Sequence, residues 1–422
     1  MRIPPSNMCA KPGWMLGGVV AGLLATGAQA ASPSPLAGAI GETRMLADLR
    51  LRSESVDQAP FGEDASALTL RGRLGFETGK AWNTTLLAEG DFLWPLMTDY
   101  NSTVNGKTAY PVVADPEAYE LNRLQLTNAS LPGTTITLGR QRIALDDHRF
   151  VGNVGWRQNE QTFDALRVVN KTIPDVTIDV SYVNRVNRVF GPEGLDGAND
   201  GRFTGDSFLA NVSWRLPIGK LTGFGYLVEF EQSPVPLRDS TQTVGLRLQG
   251  ERPVSKFKLG YVASWATQQD RGDNPLEFSN DYLLAELTAS FRQYSLGVGY
   301  ELLEGDGVKG FATPLATLHK FQGWADKFLA TPVNGLSDTY VNAGYTRKGV
   351  GPLETVSLAA SWHDYESDIA SIDYGSEWDL QLSARFRRFT GTLKLADYSA
   401  ATTTPAAVRD TRKLWAQVDY VW

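Results

Sequence analysis

The chain has 422 residues, 10% of them aromatic, with 41 glycines, one cysteine and a formal net charge of −7. The acidic balance excludes a surface built for nucleic-acid phosphates, which calls for basic residues, and one cysteine excludes a disulfide framework. Beyond residue 30 no apolar run reaches the ~20 residues of a spanning helix, so a helical membrane protein is excluded too.

The first element is a secretory signal. Arg2 and Lys11 supply the positive start, residues 14–28 the apolar core, and Ala28-Gln29-Ala30 the small-x-small cleavage site. This predicts a signal peptide over 1–30 and a mature domain over 31–422. Cys9 precedes the apolar core, which argues against a lipoprotein. Loss of Arg2 and Lys11 takes the net charge to about −9.

From about Arg44 the hydrophobic period is two. In 68–77, Leu68, Leu70, Leu74 and Phe76 oppose Thr69, Arg71, Arg73 and Glu77; in 376–387, Trp378, Leu380 and Leu382 oppose Asp379, Gln381, Ser383 and Arg385. Such stretches start near 43, 66, 81, 117, 133, 162, 175, 206, 220, 240, 255, 280, 293, 338, 354, 376, 390 and 411. That is about 18 strands, most of them about 9 to 14 residues long, enough to cross a bilayer when tilted.

Alternation also describes a soluble sandwich. The connections separate the two. Tight turns such as Thr78-Gly79-Lys80, Leu131-Pro132-Gly133 and Arg388-Phe389-Thr390-Gly391 alternate with long polar insertions at 95–116, 143–161, 187–205, 268–279, 304–337 and 399–410. Short periplasmic turns and long extracellular loops produce that parity in a membrane barrel, and a sandwich has no reason for it. Aromatics such as Trp82, Phe92 and Trp94 fall near strand ends, as interfacial girdles require. The last strand alternates to Trp422, resembling the terminal aromatic signal read by the barrel-assembly machinery. The predicted fold is all-β: a transmembrane antiparallel barrel in the outer membrane of a Gram-negative bacterium.

If the apolar face meets lipid and lipopolysaccharide, the polar face lines a lumen. Parity places Arg71, Arg73, Arg123, Arg247 and Arg385 there with Asp48, Glu89, Asp91 and Glu286, basic residues outnumbering acidic ones. An arginine-rich wall selects anions; alternatively, arginine and carboxylate ladders brace the wall without selectivity. Arg140 and Arg142 share parity with Leu138, which conflicts with a lipid-facing position. His148, His319 and His363 are too scattered for a metal cluster. Ser361 and His363 give only a loose hydrolase pattern, and Asp146-Asp147 reads as turn solvation before it reads as a calcium site. No enzyme activity and no cofactor are expected.

Two loop motifs carry a family resemblance. One runs Gly139-Arg140-Gln141-Arg142-Ile143, then Asp146-Asp147-His148-Arg149-Phe150-Val151-Gly152, then Trp156-Arg157-Gln158-Asn159; the other is Thr313-Pro314-Leu315-Ala316-Thr317-Leu318-His319-Lys320-Phe321 followed by Gly323-Trp324-Ala325-Asp326-Lys327-Phe328. Both resemble the alginate export family of outer-membrane porins. The resemblance implies an 18-stranded barrel with an electropositive pore, Arg140, Arg142 and Arg157 near the constriction, and Asp146 and Asp147 as their partners. That family's exporter has a long periplasmic segment near its C-terminus, and the matching turn here is short. Leu315, Leu318, Phe321, Trp324 and Phe328 recur at three or four, which predicts a loop helix over 314–330, opened by Pro314 and stopped by Pro332.

The function expected is a passive channel for anionic small molecules or oligosaccharides, such as sugar acids, oligouronates or a polyuronate. The alternatives are a non-selective porin and, from another class, a barrel adhesin or enzyme.

Overall fold

The computed structural model describes residues 34–194, 200–231, 236–402, 404–405 and 408–422. The expected signal peptide lies outside the described residues. A short helix, α1 (Pro35–Gly41), precedes β1 (Arg44–Gln58), β2 (Ala65–Glu77), β3 (Thr84–Asp99), β4 (Ala118–Asn128), β5 (Thr134–Gln141) and β6 (Thr162–Asn170). There follow β7 (Val176–Asn187), β8 (Arg202–Leu216), β9 (Gly219–Val228), β10 (Thr241–Val254), β11 (Phe257–Asp270) and β12 (Ser279–Phe291). The wall is completed by β13 (Tyr294–Leu303), β14 (Leu336–Val350), β15 (Leu353–Glu366), β16 (Asp373–Phe386), β17 (Phe389–Ser399) and β18 (Thr411–Val421).

Each strand pairs antiparallel with the next, and β1 pairs with both β2 and β18. The closing register sets Asp48 against Val421 and Gln58 against Thr411. Closure satisfies the backbone hydrogen bonds of the first and last strands, the condition for a sheet in lipid. The expected strand starts agree with the observed ones; β8 is the furthest off, expected near 206 and found at Arg202.

The period of two becomes two surfaces. Leu74, Leu126, Leu246, Leu287, Leu296 and Leu393 stand exposed on the outside, while Arg52, Arg71, Arg73, Glu89 and Asp91 are buried inside. So continuous an apolar exterior is incompatible with water and matches hydrocarbon. Aromatic girdles border it. Phe92, Trp94 and Tyr119 cluster at one end; at the other are the pairs Phe257–Phe291, Tyr294–Tyr345 and Phe389–Tyr420.

The connections sort by end as well. Turns at 217–218, 255–256, 292–293, 351–352 and 387–388 lie at one end, and 100–117, 142–161 and 304–335 at the other. Ser255, Arg292 and Arg387 hold the positive φ that two-residue hairpins demand. By the porin rule the short turns are periplasmic.

Alternation fails where strands bulge. Between Glu89–Arg123 and Gly90–Leu121 the register skips Asn122. Asn122 and Arg123 therefore both turn inward to Glu89, at 2.8 Å each, while Leu121 and Leu124 stay outside.

The helix predicted over 314–330 does not form. The segment holds only a 3-10 turn, Leu318–Lys320. Gln322, Gly323 and Asp326 adopt positive φ, which breaks a right-handed helix. The three-and-four spacing instead marks anchors of an irregular loop: Leu315 and Phe328 are buried in the interior cluster, with Trp324 packed against it.

Candidate functional site: loops across the lumen

Loop 142–161 leaves β5 and crosses the barrel interior, and its charged residues pair with the walls it meets. Near β5, Arg142 Nε donates to Glu160 Oε1 at 2.6 Å. Further on, Asp146 accepts from Lys220 at 2.8 Å and from Asn211 at 2.8 Å, on β9 and β8. Asp147 lies 2.9 Å from Arg247 on β10, and Arg149 2.6 Å from Glu301 on β13. Phe150 packs between Phe224 and Tyr282, at 5.0 and 5.2 Å between ring centroids. The loop then returns, so that Gln158 donates to Thr69 at 2.8 Å and Glu160 lies 3.3 Å from Arg73, both on β2.

The second loop, 304–335, lies against the first. Val151 and Leu315 form a parallel bridge. Gln161 Nε2 donates to the carbonyls of Gly152 and Leu315 at 2.9 and 3.0 Å. A side chain at Gly152 would collide with Thr317 and His148, so glycine permits this contact. Across the lumen, the amides of Trp324 and Ala325 donate to Asp379 and Glu377 on β16, at 3.2 and 2.7 Å.

Asp326 joins the two loops to the wall. It accepts from His319 Nδ1 at 2.7 Å, Arg157 Nη2 at 3.0 Å and Lys413 Nζ at 2.8 Å. His319 stacks on Trp156 with centroids 4.7 Å apart, and its Nε2 lies 2.7 Å from Lys394 Nζ. The Asp326 carboxylate can only accept, so Nδ1 carries the proton given to it and Nε2 turns its lone pair to Lys394. Burial, with Lys394 and Arg157 nearby, holds His319 well below its usual pKa despite Asp326. Burial disfavours the Asp326 carboxylate, yet His319, Lys413 and Arg157 together keep its pKa well below the usual range. Glu160 behaves alike: against burial, Arg73 and Arg142 lower it to about 2.

On the extracellular side the loops leave a cavity of about 410 Å³. Phe61, Val112, Val154, Phe190, Leu318 and Leu329 line its walls, and Arg157, Lys327 and Lys413 meet Asp326 and His319 at its floor. Deeper in the lumen Lys320, Trp324, Tyr340 and Ser361 line a second cavity of about 390 Å³. His363 borders it too, 3.0 Å from Asp338.

The arginines singled out in the sequence divide. Arg142 and Arg157 do lie among the crossing loops, and Arg247 faces them. Arg71, Arg73 and Arg123 are wall braces, paired at 2.5–2.7 Å with Asp48, Asp91 and Glu89. Arg385 is exposed near the periplasmic end, 3.3 Å from Glu354. Arg140 pairs with Asp164 at 2.7 Å on the outward side shared with the exposed Leu138 and Leu166, and donates to the Leu121 carbonyl at 2.9 Å. The expectation that Asp146 and Asp147 partner Arg140, Arg142 and Arg157 is also corrected. The loop crosses the lumen, so residues 146–147 reach β8–β10 while 157–160 reach β1 and β2. Sequence reasoning passed over Glu160, Lys413 and Glu54; Lys413 had the inward parity of its strand, but Glu160 carried no periodic signal.

Fold and site together define an outer-membrane β-barrel of porin architecture whose lumen is crossed by two interlocked loops. No family model matches the chain, and no curated protein does. Solved structures do match. Pseudomonas aeruginosa OccK5 (OpdH) superposes with a TM-score of 0.66 at 14% identity, covering 91% of this chain and 99% of that one. The P. aeruginosa outer-membrane protein opdK gives 0.64 at 16%, covering 90% and 98%. A structure of P. aeruginosa OpdK with vanillate gives 0.62 at 15%, with the same coverage. At such identities the likeness is one of fold.

Proposed function

We propose that the protein is a passive outer-membrane channel for anionic solutes, organic carboxylates and sugar acids among them. The observation that carries this reading is the extracellular cavity, where Arg157, Lys327 and Lys413 face one Asp326. Rings of cations stabilise a passing carboxylate, and transport needs no bond chemistry. The OpdK structure with vanillate supports a carboxylate-sized cargo. The apolar cavity walls favour small organic acids over a long polyuronate, although the two loop motifs keep the resemblance to alginate exporters.

A second reading, a general porin, is favoured by the bracing of Arg71, Arg73 and Arg123 against wall carboxylates. Reversal potentials of the purified protein in planar bilayers under a salt gradient separate the two. The selective reading expects an anion-preferring potential; a potential near zero overturns it.

A further inference from the structure

We propose that Asp326 occupies, in the resting chain, the place that a solute carboxylate takes during passage. Arg157, Lys413 and His319, with the Lys327 ammonium in the same cavity lining, then form a carboxylate subsite that the protein closes with its own side chain. This inference rests on the anion-channel reading above.

Three observations support it. First, Asp326 is bound as a bound solute would be: one oxygen takes Arg157 Nη2 and Lys413 Nζ at 3.0 and 2.8 Å, the other takes His319 Nδ1 at 2.7 Å. Charge-assisted donors of this kind recognise any carboxylate of suitable reach. Second, the cavity touches Asp326 together with Arg157, Lys327 and Lys413. Exchange therefore requires no passage through packed core. Third, Asp326 sits on an irregular loop at φ 61°, outside any helix or strand.

Charge decides what must happen when a solute arrives. The cavity sets the cations of Arg157, Lys327 and Lys413 against the carboxylate of Asp326 and that of Glu54, 3.3 Å from Arg157. The Asp326 carboxylate already occupies the Arg157 and Lys413 donors. A second carboxylate entering beside Asp326 meets like charge at close range, which is unfavourable in a poorly hydrated site. A solute carboxylate that displaces Asp326 takes over its ion pairs, so neither Arg157 nor Lys413 is left unpaired. The walls of Phe61, Val112, Val154, Phe190, Leu318 and Leu329 suit an apolar body behind that carboxylate. The ligand class is thus an aryl or branched-alkyl monocarboxylate.

Displacement also releases the loop. Asp326 ties 304–335 to β18 through Lys413 and to 142–161 through Arg157, while the Glu377 and Asp379 contacts remain. Solute binding therefore loosens the crossing loops without expelling them.

The test is benzoate, with benzyl alcohol as its uncharged counterpart, added to the full-length protein in planar bilayers. Asp326→Asn removes the competing charge at nearly constant volume. Benzoate is expected to bind about tenfold more tightly to this variant than to wild type, with a raised baseline current and no response to benzyl alcohol. Lys327→Gln and Lys413→Gln are expected to weaken benzoate about tenfold, and they carry the test should Asp326→Asn not fold. Equal or weaker benzoate binding in a folded Asp326→Asn, or unchanged binding in both lysine variants, overturns the proposal. A wild-type channel without anion preference overturns the underlying reading instead; preserved preference with benzoate indifferent to these residues overturns this inference alone.

Discussion

Arg140 and Arg142, two residues apart, serve opposite sides of one wall. Arg140 Nε donates to Asp164 at 2.7 Å beside the outward Leu138 and Leu166, whereas Arg142 Nε donates to Glu160 at 2.6 Å inside the lumen. The strand ends at Gln141, where the chain bends inward, so alternation stops between the two arginines. Arg142 remains one-third exposed to the lumen water.

Arg142→Ala is therefore expected to lower the anion-to-cation permeability ratio by roughly fivefold, the worth of about 1 kcal/mol at water-like dielectric. Arg140→Ala leaves that ratio unchanged. Reversal potentials of both variants check the contrast; equal losses would show that the two guanidinium groups share the pore.

Glu160 makes the crossing loop sensitive to acid. Its carboxyl is held at about 2 by Arg73 and Arg142 in spite of burial, against ~4.3 in an unfolded chain. A folded-state pKa below the unfolded one stabilises above the unfolded value and loses that contribution as pH falls toward 2. The gain is about 3 kcal/mol. Urea midpoints read by heat-modifiable mobility should fall through this window in wild type, and Glu160→Gln should flatten that part of the profile.

Lys327 gives the vestibule a pH response of the other sign. Burial and the adjacent Lys413 lower its pKa to about 8, although Glu377 and Asp326 oppose them. The ammonium form attracts anions, so benzoate binding should weaken as pH rises through 8. In Lys327→Gln the step should vanish; a step that persists assigns it to another group.

The lipid face predicts an asymmetry within β16. Leu380→Arg places a cation against hydrocarbon near mid-strand and should cost about 2–4 kcal/mol. Gln381→Arg, on the lumen side, should cost far less. Unfolding midpoints in lipid vesicles decide it, and equal losses would contradict the assignment of faces.

By itself the sequence determined the wall. A period of two, the parity of turn lengths and the girdle aromatics are local properties, and in lipid they admit one solution, a closed sheet with its apolar face outward. About 18 strands were legible, with starts within a few residues, and so was the inward placement of Arg71, Arg73 and Arg247. The lumen was another matter. Residues 142–161 and 304–335 have no period to read, because each anchor is set by whichever wall residue the loop meets across the barrel. Glu160 with Arg73, Asp146 with Lys220 and Asp326 with Lys413 are such pairings, made between residues far apart in the chain. The helical spacing of Leu315, Trp324 and Phe328 proved to mark the anchors of an irregular loop, and Arg140 faced outward where its motif pointed inward. Only closure of the barrel brought those partners within bonding distance, and so only the tertiary structure decided which charges brace the wall and which meet the solute.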